Sequence, residues 1–350
     1  MSTMKSMGKM TRNPAIELLR CILMFCIVLH HCAYHGYWRG DESQRVLIFG
    51  FTGLLAWHVD GFVAISGLYG IKFSWRKFLR LWGMCAFATG LSVLFSLKTG
   101  IGWRPSLLVV NGGWFVGTYM MLMLMAPFLE SAIDAIAARG RRVVISAWGL
   151  VVVGTVLSWC PVHLLSAVAP SGVGGISFFC MMFVYVTARF ATKLNVRVDF
   201  KRLLLALGCL VGFEAFMIVG LEVFNSIMGK PVHWFSEILY VSSYQAPYVW
   251  LFGIALVFYF VQHIRLPAMV ARIVSFVAPS MLGVYLLHET TSWGHHSYGV
   301  IEKFFTVQMK MGVVPSVVAT AVVIYCSCLL LDMFRRGGLV LISRIFKKFV

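Results

Sequence analysis

Apolar blocks about as long as a bilayer is thick recur along this chain, and they constrain its fold more than any other feature. Roughly 20 consecutive apolar residues cross a bilayer as a helix. The sequence places such blocks at 15–36, 47–72, 79–97, 114–133, 143–160, 175–192, 203–223, 241–262, 273–292 and 312–333. The blocks are continuous, whereas barrel strands alternate apolar and polar residues. Within lipid, a helix satisfies every backbone group inside its own segment. The expectation is an all-α, polytopic integral membrane bundle of about ten transmembrane helices. With 60% hydrophobic and only 12% charged residues, a soluble globular domain is excluded.

Lys and Arg collect in the short loops on the cytoplasmic side, so alternating the loops from a cytoplasmic N-terminus tests this reading. The inside set (1–13, 72–80, 139–142, 189–202, 265–272 and 335–348) holds 22 basic residues and the outside set 7; Arg20, within the first block, is the remaining one of 30. Both termini are therefore expected inside. The net charge of +17 then marks orientation and attraction to anionic headgroups, and no nucleic-acid partner is implied. Residues 1–13 read as a cytoplasmic segment, 14–333 as one membrane domain, and 334–350 as a basic amphipathic tail on the cytoplasmic membrane surface. The first block is expected to be a retained span and not a cleaved signal, because Glu17 and Arg20 interrupt it. The nine cysteines form no CxxC pair and imply neither disulfide nor metal site.

An ionisable group in mid-bilayer costs about 2.5–3.5 kcal/mol on insertion scales, so each one needs a reason. In "ELLRCILMFCIVLHHC", Arg20 and His31 are eleven residues apart, three helical turns plus about 20°, and so share a face with His31 about 16 Å further along. Glu17 lies one turn before Arg20 and His35 one turn after His31, while His30 points elsewhere. The second block holds His58 and Asp60, the latter a candidate to brace Arg20 or orient a histidine. "KFSWRKFLRLW" follows, in which Arg76 and Arg80 share a face and are suited to phosphate, with Lys77 beside them. The ninth block ends with His288 and Glu289. Glu214 and Glu222 have no assigned role.

Taken together, these stretches resemble the acyltransferase-3 family, bacterial inner-membrane acyltransferases that modify cell-surface sugars. Glu17, Arg20 and His31 are similar to its first-span pattern; "VDGFVAISGLYG" with Asp60, followed by Arg76, Lys77 and Arg80, to its second-span phrase and basic run; "WFVGTYMMLMLMAPFLE" (114–130) to its tryptophan- and tyrosine-bearing span; and "SMLGVYLLHE" (280–289) to its late helix. Lys77 stands where the family has Arg, Gly61 and Ala64 thin the aromatic run, and His30 duplicates the key histidine position.

The resemblance implies a multi-pass bacterial inner-membrane enzyme moving an acyl group, by default acetyl, from cytoplasmic acyl-CoA to a hydroxyl of an envelope or exopolysaccharide sugar, free or lipid-linked. Acyl-CoA is a co-substrate, and no cofactor is permanently bound. His31, Arg20 and Asp60 take the catalytic positions and Arg76, Lys77 and Arg80 the donor phosphates. Glu17, His30, His35, His58, His288 and Glu289 support them, and Trp114, Tyr119 and Trp293 are candidates to contact the sugar. Whether His31 acts as general base or carries the acyl group stays open. A proton-coupled transporter and a non-catalytic scaffold of polysaccharide assembly are the competing readings of the same buried polar groups.

Overall fold

The computed structural model describes residues 13–37, 48, 50–100, 110, 112–159, 178–228, 244 and 246–346. Among them every regular element is helical: α1 (Pro14–His31), α2 (Trp57–Tyr69), α3 (Trp75–Thr99), α4 (Gly113–Ala138), α5 (Arg141–Trp159), α6 (Phe178–Lys193), α7 (Phe200–Met228), α8 (Pro247–His263), α9 (Ala268–Val277), α10 (Met281–Glu289), α11 (Ser292–Lys303) and α12 (Val313–Phe346). Helices fall in all ten expected blocks. Among the described residues, seven stretches are long and apolar enough to span a membrane: Pro14–His35, Gly50–Tyr69, Trp75–Thr99, Gly113–Ala138, Phe200–Gly220, Ala268–Glu289 and Val313–Leu339. The protein is thus a multi-pass helical membrane protein. α8 is apolar but shorter, and α5 and α6 are not among the seven.

Three features depart from a simple run of spans. The expected 273–292 block is broken: α9 gives way to a 3₁₀ turn at Ala278–Ser280, containing Pro279, before α10. Proline has no N–H to continue the helical ladder. A further helix, α11, follows it in a region read as a loop. α12 runs for 34 residues without a break at 333, so it is about 51 Å long against a hydrocarbon core of about 30 Å. The expected tail therefore begins as the continuation of the last helix.

α1 lies at the centre, packing on α2, α8, α9, α10 and α12. Its start is fixed locally: the Asn13 side chain accepts the Ala15 N–H at 3.0 Å and Pro14 occupies the first turn, where its missing donor costs nothing. Leu19 and Leu23 pack into one apolar cluster with α2, α6 and α8, while Met24, Ile27 and Val28 pack into another with α3, α10 and α12. α7 is peripheral, with Leu205, Phe216 and Val219 exposed as expected of a lipid-facing surface. The α2–α3 corner is clamped. Gly70 has φ +74°, a left-handed conformation open to glycine. The Ile71 N–H donates to the Tyr185 hydroxyl at 3.0 Å, that hydroxyl donates to Glu130, and Arg189 Nη2 meets Glu130 Oε2 at 2.5 Å. The basic run that opens α3 is thereby held at a fixed angle to α2.

Candidate active site

At one end of α1, Arg20 Nη1 donates to Glu17 Oε1 at 2.8 Å, and Glu17 is buried. Both residues line a cavity of about 550 Å³. On α1 its wall is Glu17, Arg20, Met24 and Ile27, the stripe that His31 continues. Phe62, Ile65 and Ser66 of α2, and Phe115 and Tyr119 of α4, line it from the other side; the Tyr119 hydroxyl is 3.1 Å from Ser66 Oγ. Three further guanidinium groups line the cavity, those of Arg80 on α3 and of Arg335 and Arg336 on α12. It is thus an apolar shaft with four arginines from three helices on its wall.

Those last two arginines are absent from the sequence reading, which counts them only as inside charge. Arg335 Nε and Nη2 pair with the buried Asp332 Oδ1 at 2.8 and 2.6 Å. Arg336 Nη1 donates to the Phe276 carbonyl at 3.1 Å and to Ser280 Oγ at 2.7 Å, beside the 3₁₀ break. The signal that could have found them is Asp332, an acid inside the last apolar block, one turn before Arg335. Arg76 and Lys77 are exposed and do not line the cavity; of the expected donor residues only Arg80 does.

The shaft does not reach His31. Tyr285 of α10 is on its wall, its ring 5.9 Å from that of His288. Beyond this ring lies a polar cluster. His31, 6% exposed, has Nδ1 at 3.0 Å from His288 Nε2 and at 3.0 Å from Glu289 Oε2. The second contact is an ion-pair distance without the alignment of a hydrogen bond. His288 Nδ1 is 2.7 Å from the Val284 carbonyl, which can only accept, so Nδ1 carries the His288 proton and neutral His288 offers a lone pair at Nε2. His31 Nδ1 consequently faces two acceptors, a lone pair and a carboxylate, and carries the proton itself. The remaining lone pair of neutral His31 is then on Nε2. His35 follows in a π-helical turn over Cys32–Tyr37; its Nε2 is 3.7 Å from Glu289 Oε2, and its ring stacks on Tyr298 at 5.5 Å.

The second histidine group is separate. His30 points away from His31's partners and meets His58 edge-on at 5.1 Å, with Tyr244 near both; Trp114 lies 5.3 Å from Tyr244. His58 is fully buried with neither ring nitrogen hydrogen-bonded among the described residues. Asp60 is buried too, and its Oδ2 has no partner there. It makes no hydrogen bond to Arg20 or to a histidine among the described residues; Glu17 holds Arg20 instead. Glu214 accepts from the Tyr248 hydroxyl at 3.2 Å, a pairing between α7 and α8. The side chains of Trp293 and Glu222 lie outside the described residues.

Comparison with known proteins gives one result that covers nearly the whole molecule, a family model described as an acyltransferase domain that matches residues 13–332. Neither the curated proteins nor the solved structures yield a match. The matched region runs from the cap of α1 to Asp332 and contains the His31–His288–Glu289 cluster and the shaft wall apart from Arg335, Arg336 and Leu339, and the chain belongs to the acyltransferase-3 family.

Proposed function

We propose that this membrane acyltransferase moves an acyl group, by default acetyl, from cytoplasmic acyl-CoA to a carbohydrate hydroxyl at the bacterial inner membrane. The observation that carries the proposal is the pair of acceptors, His288 Nε2 and Glu289 Oε2, facing His31 Nδ1 beyond a shaft whose wall bears four arginines. In this reading the chain crosses the membrane ten times with both termini in the cytoplasm, and the shaft opens there. The anionic nucleotide end of the donor meets Arg80, Arg335, Arg336 and Arg20, and guanidinium forks bind phosphate oxygens bidentately. The pantetheine arm, slim and flexible, occupies the apolar length beside Met24 and Ile27.

At the top, movement of the Tyr285 ring brings the thioester to His31. Nε2 removes the proton of the acceptor hydroxyl as its oxygen attacks the thioester carbonyl. The C–S bond then breaks, and the CoA sulfur leaves with a proton returned from His31. During this step the imidazolium is stabilised by Glu289 at 3.0 Å, while the His288 lone pair keeps the proton of the resting ring on Nδ1. The Tyr285 hydroxyl, buried without an aligned partner among the described residues, is the candidate donor to the carbonyl oxygen as it gains charge. The acceptor sugar is free or lipid-linked, and in this reading it packs on Trp114, whose ring is 5.3 Å from that of Tyr244.

The test is release of CoA from acetyl-CoA, coupled to labelling of envelope glycan, by purified protein in nanodiscs. Wild type transfers the label; His31→Gln does not. Transfer that survives His31→Gln overturns the assignment of the base. Sugar uptake into vesicles with no CoA release overturns the enzyme reading in favour of a carrier.

A further inference from the structure

We infer that His31, His288 and Glu289 also form a binding site for a divalent cation of the zinc class, and that the bound ion switches the base off. The inference rests on the His31 reading above and adds a ligand to that site. Three donor atoms of the type zinc prefers, two imidazole nitrogens and a carboxylate oxygen, lie within 4.8 Å of one another.

The donor geometry suits the ion. His31 Nδ1 is 3.0 Å from His288 Nε2 and 3.0 Å from Glu289 Oε2. With metal–ligand bonds of about 2.0–2.1 Å, such edges correspond to ligand–metal–ligand angles near 95°. Rotation about the Glu289 side-chain bonds closes the third edge. An outer shell is present as well: His288 gives its Nδ1–H to the Val284 carbonyl, the arrangement that fixes a metal-bound histidine with its other nitrogen toward the ion. Glu289 Oε2 is buried and makes no aligned hydrogen bond. Among the described residues no Lys or Arg side chain contacts the three donors. Among the described residues, the titratable groups nearest the cluster are His35, whose Nε2 is 3.7 Å from Glu289 Oε2, His30, whose ring is 5.8 Å from that of His31, and the phenols Tyr285 and Tyr298.

The consequence for catalysis follows from the proton count. In the resting dyad the proton of neutral His31 sits on Nδ1 and the reactive lone pair on Nε2. An ion on Nδ1 needs a lone pair there, so the ring proton moves to Nε2, with no net release from His31. The nitrogen needed as base then carries a hydrogen and cannot accept another. Metal binding and base function are therefore mutually exclusive at one ring. No ligand of the ion lines the donor shaft, so acyl-CoA binding is left intact.

Binding is measured first, without substrate, on full-length protein in chelator-stripped detergent buffer, using zinc chloride against a chromophoric competitor and cobalt(II) as a spectroscopic substitute. The wild type is expected to hold one ion per chain, with visible cobalt bands of a low-coordinate site. His288→Gln and Glu289→Gln should each weaken zinc by at least about 10–100-fold, the effect typical of losing even an outer-shell partner. His263→Ala, altering a histidine that contacts the Val198 carbonyl away from the cluster, should leave binding unchanged. Cobalt bands in the wild type give a readout independent of whether the variants fold. No retained ion in the wild type, or retention undiminished in both Gln variants, overturns the site.

Activity is measured second. Zinc is expected to lower kcat at unchanged KM for acyl-CoA, and EDTA to restore it. Bound zinc with full activity overturns the switch, as does loss of activity in EDTA alone. Failure of transfer in EDTA and in zinc alike, with stoichiometric binding retained, overturns the base reading and leaves the metal site standing.

Discussion

Replacing Glu289 with Gln keeps the side-chain volume and removes the charge that faces His31 Nδ1. In the proposed step His31 passes from neutral to imidazolium, so the 3.0 Å contact with the carboxylate strengthens as the proton arrives. An interaction that grows only along the reaction coordinate lowers kcat when lost and leaves ground-state binding alone. Hydrogen bonds to charged groups contribute about 1.5–3 kcal/mol, and about 1.4 kcal/mol is a factor of ten in rate. Glu289→Gln should therefore reduce kcat about 10- to 150-fold. KM for acyl-CoA should stay within about twofold, because Glu289 is not on the shaft wall. The assay is steady-state release of CoA thiol by protein in nanodiscs, in EDTA, with saturating glycan acceptor. An unchanged kcat, or an effect confined to KM for the donor, would refute the role given to the carboxylate.

Other expectations follow from the same geometry. His31→Gln should lower kcat by about 10²–10⁴-fold, the range of general acid–base catalysis; equilibrium binding of CoA, measured by calorimetry, should persist. Arg335→Ala and Arg80→Ala should each raise KM for acyl-CoA about tenfold, the equivalent of one charge-assisted hydrogen bond, and less when the donor lacks its 3′-phosphate; Arg76→Ala should be nearly silent in the same titration. Gly283→Ala puts a Cβ onto the Asp332 carboxylate that holds Arg335. Overpacking of this kind costs about 1–3 kcal/mol, to be read as a lowered unfolding temperature in detergent together with a raised donor KM.

How far the site could be read in advance depends on whether its parts lie on one helix. The Glu17–Arg20–His31 stripe is fixed by helical period, and the structure presents Arg20 to the shaft and His31 to α10 in that order along α1. The acid at 289 and histidine at 288 are visible as costly residues in an apolar block. Their meeting with His31 is a tertiary fact, made by α10 packing on α1. Arg335 and Arg336 escaped because basic residues just past a span have an ordinary role as anchors; only the buried Asp332 and the open carbonyl near the 3₁₀ turn distinguish them. Asp60 misled for the opposite reason. Its place in the sequence suggested a partner for Arg20, but Glu17 holds that arginine and Asp60 makes no hydrogen bond to it among the described residues. The break at Ala278–Ser280 was marked by Pro279, yet hydropathy averages straight across it.

The four guanidinium groups come from helices widely separated in the chain. Arg20 has Glu17 and Arg335 has Asp332, while Arg336 leans on a carbonyl and a hydroxyl, and Arg80 has no acidic partner among the described residues. Two carboxylates among four guanidinium groups leave an excess of positive charge that pushes α1, α3 and α12 apart; a polyphosphate lodged between them rivets the three helices into one unit. Donor occupancy should thus set how rigid the arginine-lined mouth is, and the heat resistance of the protein should climb with CoA concentration as mass action requires. A chain of this design would feel the supply of its own fuel as mechanical stiffness.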